Sequence, residues 1–199
     1  MEFEAVLRRR KMCRSFEATP VPPELLEPIL ASCRRAPSAG FSQGSAFVVL
    51  DGPEQTATFW AGVSEPGWLA EPTWPGLVRA PVIIVPLAHK QAYLDRYREA
   101  DKARLGRQEE SAWPVPFWLV DTAFATMLIL LSAVDAGLGA LFFGLQGGGH
   151  RVLADLDVPS GYEPIGAVAL GWPDGEDRPS PSLARGHRPA ADVIHRGGW

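Results

Sequence analysis

A single domain of the α+β class is predicted by the length of the chain and the order of its apolar segments. The 199 residues suit one domain, taken as residues 1–199, and a chain of this size buries a core without a metal or a disulfide. About four short apolar runs resemble strands, and about five or six segments show helical spacing. Because strands and helices do not alternate strictly, a mixed α+β arrangement fits better than a doubly wound sheet.

Three helices and one strand are expected in the N-terminal part of the chain. Apolar residues recur at helical spacing, and proline suits the first turn of the second helix, although Pro28 inside it favours a kink. The strand is a continuous apolar run that an Asp-Gly-Pro turn closes. In order, we expect a helix at residues 2–10, a helix from residue 23 to the break at residue 37, a strand at residues 46–50 and a helix at residues 54–61.

The remaining elements follow a stretch rich in tryptophan, proline and glycine. A run of valine and isoleucine predicts a strand buried on both faces, and the longest apolar segment predicts a central helix that Gly137 and Gly139 stop. A glycine-rich turn is expected to reach Gly149. In order, we expect a strand at residues 80–87, helices at residues 90–107 and 117–136, a strand at residues 140–143, a helix at residues 150–156 and a strand at residues 164–170.

The last residues of the chain, from about residue 172, contain repeated prolines and no clear periodicity. Compact domains seldom keep a long irregular tail free, so we expect an extended arm that wraps this subunit or a partner.

Composition and charge exclude several classes of function. The net charge is -4, whereas nucleic-acid-binding domains are usually basic. The most apolar stretch, residues 122–134, is shorter than the ~20 residues that a membrane span needs. Charges begin at Glu2, and the two cysteines fit neither a disulfide framework nor a metal motif. We therefore expect a cytoplasmic protein that binds no nucleic acid, membrane or metal.

A dense cluster of cations lies near the N-terminus. Five of the 19 lysines and arginines fall between Arg8 and Arg14. Cations at a helix end gain under ~1 kcal/mol from the helix dipole, which accounts for one or two of them. The others would repel one another unless an anion binds, and a phosphate offers arginines bidentate partners. The cluster indicates a small anionic ligand, with simple stabilisation of the helix end as the alternative.

A loop of small residues follows at residues 36–44. It contains Gly40-Phe41-Ser42-Gln43-Gly44, a G-x-S-x-G pattern that carries the nucleophile in α/β-hydrolases. That pattern requires a strand before it and a helix after it, whereas here a helix precedes and a strand follows. A serine hydrolase using Ser42 is therefore a remote alternative. Without a ligand, Ser38, Ser42 and Gln43 would be turn residues.

Both segments resemble motifs of the nitroreductase family of flavoproteins. Residues 10–16 resemble its N-terminal motif Arg-Arg-Ser-x-Arg-x-Phe, and residues 36–44 resemble Ala-Pro-Ser-x-x-Asn-x-Gln-Pro. The resemblance continues in the family's order through residues 80–85, 121–139, 164–173 and 185–189. It implies a nitroreductase-like α+β fold, with a central mixed or antiparallel sheet flanked by helices. It also implies an intertwined FMN-binding homodimer whose terminal arms are swapped.

The resemblance also implies roles for individual residues. Arg10, Lys11, Met12 and Arg14 would hold the FMN phosphate, ribityl chain and ring edge, and Arg185 or Arg188 would complete the phosphate site. Pro37, Ser38, Ala39 and Gln43 would face the flavin of the partner subunit. The backbone around Phe142, Phe143 and Gly144 would lie near the reactive flavin nitrogen.

Several positions depart from the family pattern. Met12 replaces a serine, Phe41 an asparagine and Gly44 a proline, while Thr73 and Gly76 stand where many members have an asparagine and a lysine. Lys11 is the candidate for stabilising the reduced ring.

The resemblance implies an FMN-dependent oxidoreductase with ping-pong hydride transfer from NADH or NADPH to a nitroaromatic, a quinone or a similar small aromatic acceptor. The flavin carries the chemistry, so no catalytic side chain is assigned. The alternatives are a flavin-binding protein, or a flavin-dependent oxidase or dehydrogenase of a biosynthetic intermediate without NAD(P)H turnover. A deazaflavin in place of FMN also stays open.

Overall fold

Five antiparallel strands form the central sheet of the computed structural model of the protein, which describes residues 1–65, 67–145 and 149–199. The strand order is β1-β2-β5-β3, and β4 and β5 pair with successive segments of β2. The predicted α+β class and antiparallel sheet are confirmed, and the expected last strand divides into β4 and β5. The strands are β1 (Ser45–Asp51), β2 (Val82–His89), β3 (Gly139–Phe143), β4 (Tyr162–Pro164) and β5 (Ala167–Gly171).

Six α-helices are present in the described part of the chain, and each corresponds to a helix predicted from the sequence. The second one continues through Pro28. The glycine-rich turn expected before Gly149 falls mainly on residues 146–148, which lie outside the described residues. The helices are α1 (Phe3–Arg9), α2 (Pro23–Ser32), α3 (Pro53–Val63), α4 (Lys90–Arg96), α5 (Phe117–Asp135) and α6 (Gly149–Asp155).

Helices cover both faces of the sheet, and β2 shows how the sequence produces this. Val82 and Ile84 pack with α2 and α5 on one face, while Ile83 and Val85 pack with α3 and α6 on the other. All four side chains are fully buried, and each contributes roughly 1.5–3 kcal/mol of hydrophobic stabilisation. The predicted burial of this strand on both faces is confirmed.

The predicted helix at residues 90–107 is too long, because α4 ends at Arg96. The Arg96 guanidinium donates two hydrogen bonds of 2.7 Å to Asp101, and a third of 2.9 Å to the Gly40 carbonyl. These bonds turn the chain back on itself. The turn brings Trp113 edge-on to Tyr97, with 4.7 Å between ring centroids.

The 19-residue helix α5 is long and apolar enough to cross a membrane, with a mean hydropathy of 1.9. It packs against α2 and the sheet, where Ile129, Leu130 and Ala133 are buried. Its opposite face carries Phe124 and Met127, which are exposed. Helix α5 is therefore a core helix of this fold with an uncovered apolar face.

Candidate functional site

The basic segment that follows α1 is extended and lies beside β3. Met12 forms a parallel bridge with Ala140, and the Cys13 amide donates to the Ala140 carbonyl at 3.0 Å. Phe16 is fully buried and anchors the far end of the segment. The backbone that carries these cations is therefore held in place by pairing with the central sheet.

The cations near the N-terminus differ in their partners. Arg8 pairs with Glu4 at 3.4 Å, and Lys11 pairs with the buried carboxylate of Asp177 at 3.1 Å. Within the described residues, Arg10 and Arg14 have no carboxylate within salt-bridge distance. The helix end and the protein's own acids therefore account for Arg8 and Lys11, and leave Arg10 and Arg14 available to an anion.

Arg14 lines a cavity of about 620 Å³, a size typical of ligand sites. Its guanidinium lies 5.4 Å from the centre of the Trp74 ring and donates to the Met12 carbonyl at 3.1 Å. Cation and ring together offer a charged edge and a flat face. The other lining residues are Ser15, Thr73, Pro75, Gly76, Arg79, Glu176 and Arg178.

An acidic turn after β5 holds this cavity together. Asp174 accepts from the Ser15 hydroxyl at 2.6 Å and pairs with Arg79, while Asp177 accepts from the Arg14 amide at 2.7 Å. The hydrogen bond from Ser15 is the main cause that holds the pKa of Asp174 below its usual range. These two aspartates, which follow β5 in the chain, therefore hold the basic segment in place.

The loop at residues 36–44 lines a separate cavity of about 560 Å³ that shares no residue with the Arg14 cavity. Phe41 and Gln43 have φ angles of 56° and 51°, in the left-handed region that non-glycine residues rarely adopt. Such strain persists only where the surroundings impose it, and it is common at ligand sites. Pro37 and Gln43 are exposed, so the loop can face another molecule.

Two neighbouring helices impose the conformation of this loop. Asp121 of α5 accepts from the Ala39 amide at 2.8 Å and from the Tyr93 hydroxyl of α4 at 2.8 Å. Asp121 is 4% exposed. Burial, followed by the hydrogen bond to Asp121, raises the pKa of Tyr93 above its usual range. The neutral phenol therefore remains the donor that holds the carboxylate.

The geometry around Ser42 disfavours a hydrolase. The loop stands between a helix and β1, as expected, and the Ser42 hydroxyl donates to the Ala39 carbonyl at 2.6 Å. Within the described residues, no histidine forms a hydrogen bond with it. A nucleophilic serine needs such a base within hydrogen-bond reach.

Phe142, Phe143 and Gly144 lie at the carboxyl end of β3. Phe142 packs on the α5 side of the sheet, and Phe143 stacks on Trp60 at 5.5 Å on the other side. The segment at Gly166 of the same chain lies close to these residues. A Cβ atom at position 166 would lie 2.6 Å from both the Phe142 ring and the Phe143 carbonyl. This close contact holds the backbone at Phe142 and Phe143 in place, whereas a Cβ atom at Gly144 would meet nothing within 4 Å.

Arg185 and Arg188 lie on the C-terminal arm. Residues 181–199 are exposed throughout, and in the described structure no hydrogen bond or ion pair joins them to the rest of the domain. In the described structure the start of the arm contacts its own subunit through Trp172, Asp174 and Asp177, whereas residues 181–199 do not wrap it. Its two arginines do not meet Arg10 or Arg14 within one chain.

Sequence reasoning assigned no role in a flavin site to Asp121, Tyr93, Asp174 and Asp177. A lone carboxylate inside an apolar helical segment was a usable signal for Asp121, because such a charge needs buried partners. The acidic turn at residues 174–177 offered no comparable pattern. Its partners lie about 160 residues away in sequence.

Together, the fold and the site define an α+β protein with a cationic, aromatic-lined cavity at one end of its sheet. A family model for the nitroreductase family matches residues 7–172. The chain belongs to the nitroreductase family. Membership indicates an oxidoreductase.

Solved structures share this fold. The nitroreductase family protein from Streptococcus pneumoniae TIGR4 matches with a TM-score of 0.75 at 18% identity, covering 98% of this chain and 100% of that one. The FMN-dependent nitroreductase from Clostridium difficile R20291 matches with a TM-score of 0.67 at 20% identity, covering 98% of both chains. A nitroreductase family protein from Clostridium novyi NT has a TM-score of 0.67 and 23% identity, covering 90% of this chain and 89% of that one.

Proposed function

We propose that this protein is a homodimeric FMN-dependent oxidoreductase that takes hydride from NADH or NADPH and reduces a small conjugated aromatic acceptor. Family membership supports the class, and the name of the Clostridium difficile relative supports FMN for that protein. The observation that carries the proposal for this chain is the Arg14 guanidinium, which has no carboxylate partner among the described residues and lies over Trp74 in the cavity.

The residues present fit FMN. Arg10 and Arg14 supply uncompensated positive charge for a phosphate or an anionic ring edge, and Trp74 supplies a flat apolar surface. The bound flavin would supply reversible hydride transfer. The protein's own contribution is to hold the cofactor, orient its ring and exclude water.

Arg14 is a better candidate than Lys11 for stabilising the reduced ring. The Lys11 ammonium is already paired with Asp177, whereas Arg14 faces the cavity. A fixed cation in a cavity wall stabilises developing negative charge without reorganisation.

A homodimer would complete the site. Residues 181–199, which include Arg185 and Arg188, make no hydrogen bond or ion pair with the domain in the described structure, and the loop at residues 36–44 lines a different cavity from Arg14. We infer that each arm and each loop reach the flavin site of the other subunit.

An absorption spectrum of the purified protein, before and after anaerobic addition of NADPH or NADH, tests this function. We expect a flavin spectrum that bleaches with the reductant. A flavin spectrum that does not bleach would indicate a flavoprotein without NAD(P)H turnover. A colourless protein that binds no added FMN would contradict the proposal.

Arg14→Ala tests the assignment of the cavity. We expect the dissociation constant for FMN to rise by at least about tenfold, because charge-assisted bonds to a phosphate or ring contribute about 1.5–3 kcal/mol. Fluorescence titration of the apoprotein with FMN measures this constant. Arg8→Ala is the matched control, because Arg8 is exposed and paired with Glu4. Equal FMN affinity in Arg14→Ala and Arg8→Ala would refute the assignment.

A further inference from the structure

A small aromatic cleft adjoins the end of β3, and it is distinct from the cavity that Arg14 lines. Its volume is about 230 Å³. A cavity of about 150 Å³ accommodates benzene, so this cleft can hold one substituted ring or two fused rings. The Trp60 ring stacks with Phe143, 5.5 Å away at an angle of 11°, and with Trp68, 6.0 Å away at an angle of 26°. The cleft is therefore suited to a flat ring and too small for a whole nucleotide.

Two buried polar atoms of this cleft have no partner among the described residues. They are Nε1 of Trp60, whose side chain is 5% exposed, and Oγ of Ser64. In contrast, Nε1 of Trp113 donates to the Arg107 carbonyl at 3.0 Å. Buried donors are almost always satisfied. Among the described residues, neither of these donors, which lie one helical turn apart, has an acceptor, and a ligand in the cleft could supply one.

The charge at the cleft selects among ligands. Glu65 is the charged side chain among the described lining residues, and it is exposed. A carboxylate there disfavours an anionic ligand, while an indole N–H and a hydroxyl favour an oxygen acceptor. These features together favour a neutral ring that bears a carbonyl oxygen.

We propose that this cleft is a subsite for the ring of a neutral aromatic carbonyl compound, whose oxygen accepts hydrogen bonds from Trp60 Nε1 and Ser64 Oγ. The inference rests on the proposed function, because Phe143 and Gly144 connect the cleft to the expected flavin position. Both donors are buried, so this binding requires a side chain of the cleft wall, such as the half-buried Trp68, to move when the ligand enters. Trp60 and Ser64 thus determine which acceptor binds, without taking part in the chemistry.

Equilibrium dialysis of the oxidised, flavin-loaded protein against naphthoquinone and against naphthalene measures this subsite. Trp60→Phe keeps an aromatic ring and removes the N–H donor, and Ser64→Ala removes the hydroxyl. We expect each variant to weaken naphthoquinone binding about fivefold, as the loss of one hydrogen bond does, and to leave naphthalene binding unchanged. Trp113→Phe is the matched control and should bind naphthoquinone as the wild type does.

Unchanged naphthoquinone affinity in both variants would overturn the proposal, and so would an equal loss of naphthalene binding. If Trp60→Phe does not fold, Ser64→Ala decides between these outcomes. We also expect naphthoquinone sulfonate, which is anionic, to bind more weakly than naphthoquinone, and Glu65→Gln to narrow that difference. Equal affinities of the wild type for the two quinones would contradict the selection against anions.

Flavin content and flavin reduction by NADPH are measured separately on each variant. A wild-type protein that contains no flavin, or whose flavin NADPH does not reduce, counts against the oxidoreductase function. The cleft can then still be tested, because dialysis of the colourless protein reports binding of naphthoquinone directly.

Discussion

Gly76 shows how a single residue limits what the cavity can contain. The Phe16 amide donates to the Gly76 carbonyl at 3.1 Å, so these two segments of the chain are in contact. A Cβ atom at position 76 would lie 1.9 Å from Ser15 Oγ and 2.7 Å from Ser15 Cα. The resemblance places a lysine near this position in many relatives, but no side chain fits here. A cation for the ring must come from another residue, which strengthens the case for Arg14.

Gly76→Ala should therefore destabilise the protein, by about 1–3 kcal/mol of unfolding free energy, because the Cβ atom overpacks against the Ser15 backbone. Urea denaturation measures this change. Gly144→Ala is the control, since its Cβ atom would meet nothing within 4 Å, and we expect a change within about 1 kcal/mol. An equal effect of the two substitutions would show that the contact between Gly76 and Ser15 does not limit this position.

At the residue scale, the sequence points to some members of the candidate site and misses others. Arg10, Arg14 and the loop at residues 36–44 belong to short local patterns, and the structure places each of them at a cavity or a helix end. The pairing of Lys11 with Asp177 joins residues far apart in the chain, so no local pattern contains it. Which cations remain free for a ligand therefore became apparent only from the fold.

At the scale of elements, the loop at residues 36–44 depends on two helices that lie far from it in sequence. Helix α5 supplies Asp121, and helix α4 supplies Tyr93 and Arg96, which binds the Gly40 carbonyl at 2.9 Å. The left-handed residues Phe41 and Gln43 cost roughly 1–2 kcal/mol each, which these contacts offset. The loop is therefore preorganised before any ligand arrives.

The Tyr93–Asp121 bond predicts a dependence of stability on alkaline pH. The folded-state pKa of Tyr93 is raised by burial and by Asp121, so its contribution to stability is complete below the unfolded value of about 10 and is lost as the pH rises above it. Tyr93→Phe should not lose stability in this way at alkaline pH. At neutral pH it should be about 1 kcal/mol less stable than the wild type.

Urea denaturation at pH values from about 8 to 11 measures how the free energy of unfolding changes with pH in the wild type and in Tyr93→Phe. Tyr162→Phe removes a half-buried phenol and should keep the alkaline slope of the wild type. Parallel curves for the wild type and Tyr93→Phe would contradict the coupling.

The elements themselves were largely predictable, because apolar periodicity determines which segments can pack on both faces of a sheet. The end of α4 was the exception. Charged residues continue a helix pattern through residue 107, but the bidentate Arg96–Asp101 pair and the packing of Trp113 on Tyr97 favour a turn. These contacts are tertiary, and helical spacing does not register them.

At the scale of the whole molecule, the exposed apolar surfaces support the homodimer proposed above. Helix α5 is apolar around most of its circumference, a pattern typical of helices that are buried on most sides, yet Phe124 is 48% and Met127 43% exposed. The arm exposes Leu183, Val193 and Ile194 as well. Isolated exposed apolar residues are ordinary, but an exposed helix face together with the exposed end of the arm supports the interface of the proposed homodimer.

Met127→Lys should therefore convert the proposed dimer into a monomer, because burying an unpaired ammonium in an apolar interface costs several kcal/mol. Light scattering coupled to gel filtration measures the mass, and we expect bound FMN to fall with it, since the partner's loop and arm leave the site. Leu105→Lys, at a residue that is 51% exposed on the turn after α4, is the control and should keep both the mass and the flavin. A Met127→Lys protein with the wild-type mass would exclude the outer face of α5 from the interface.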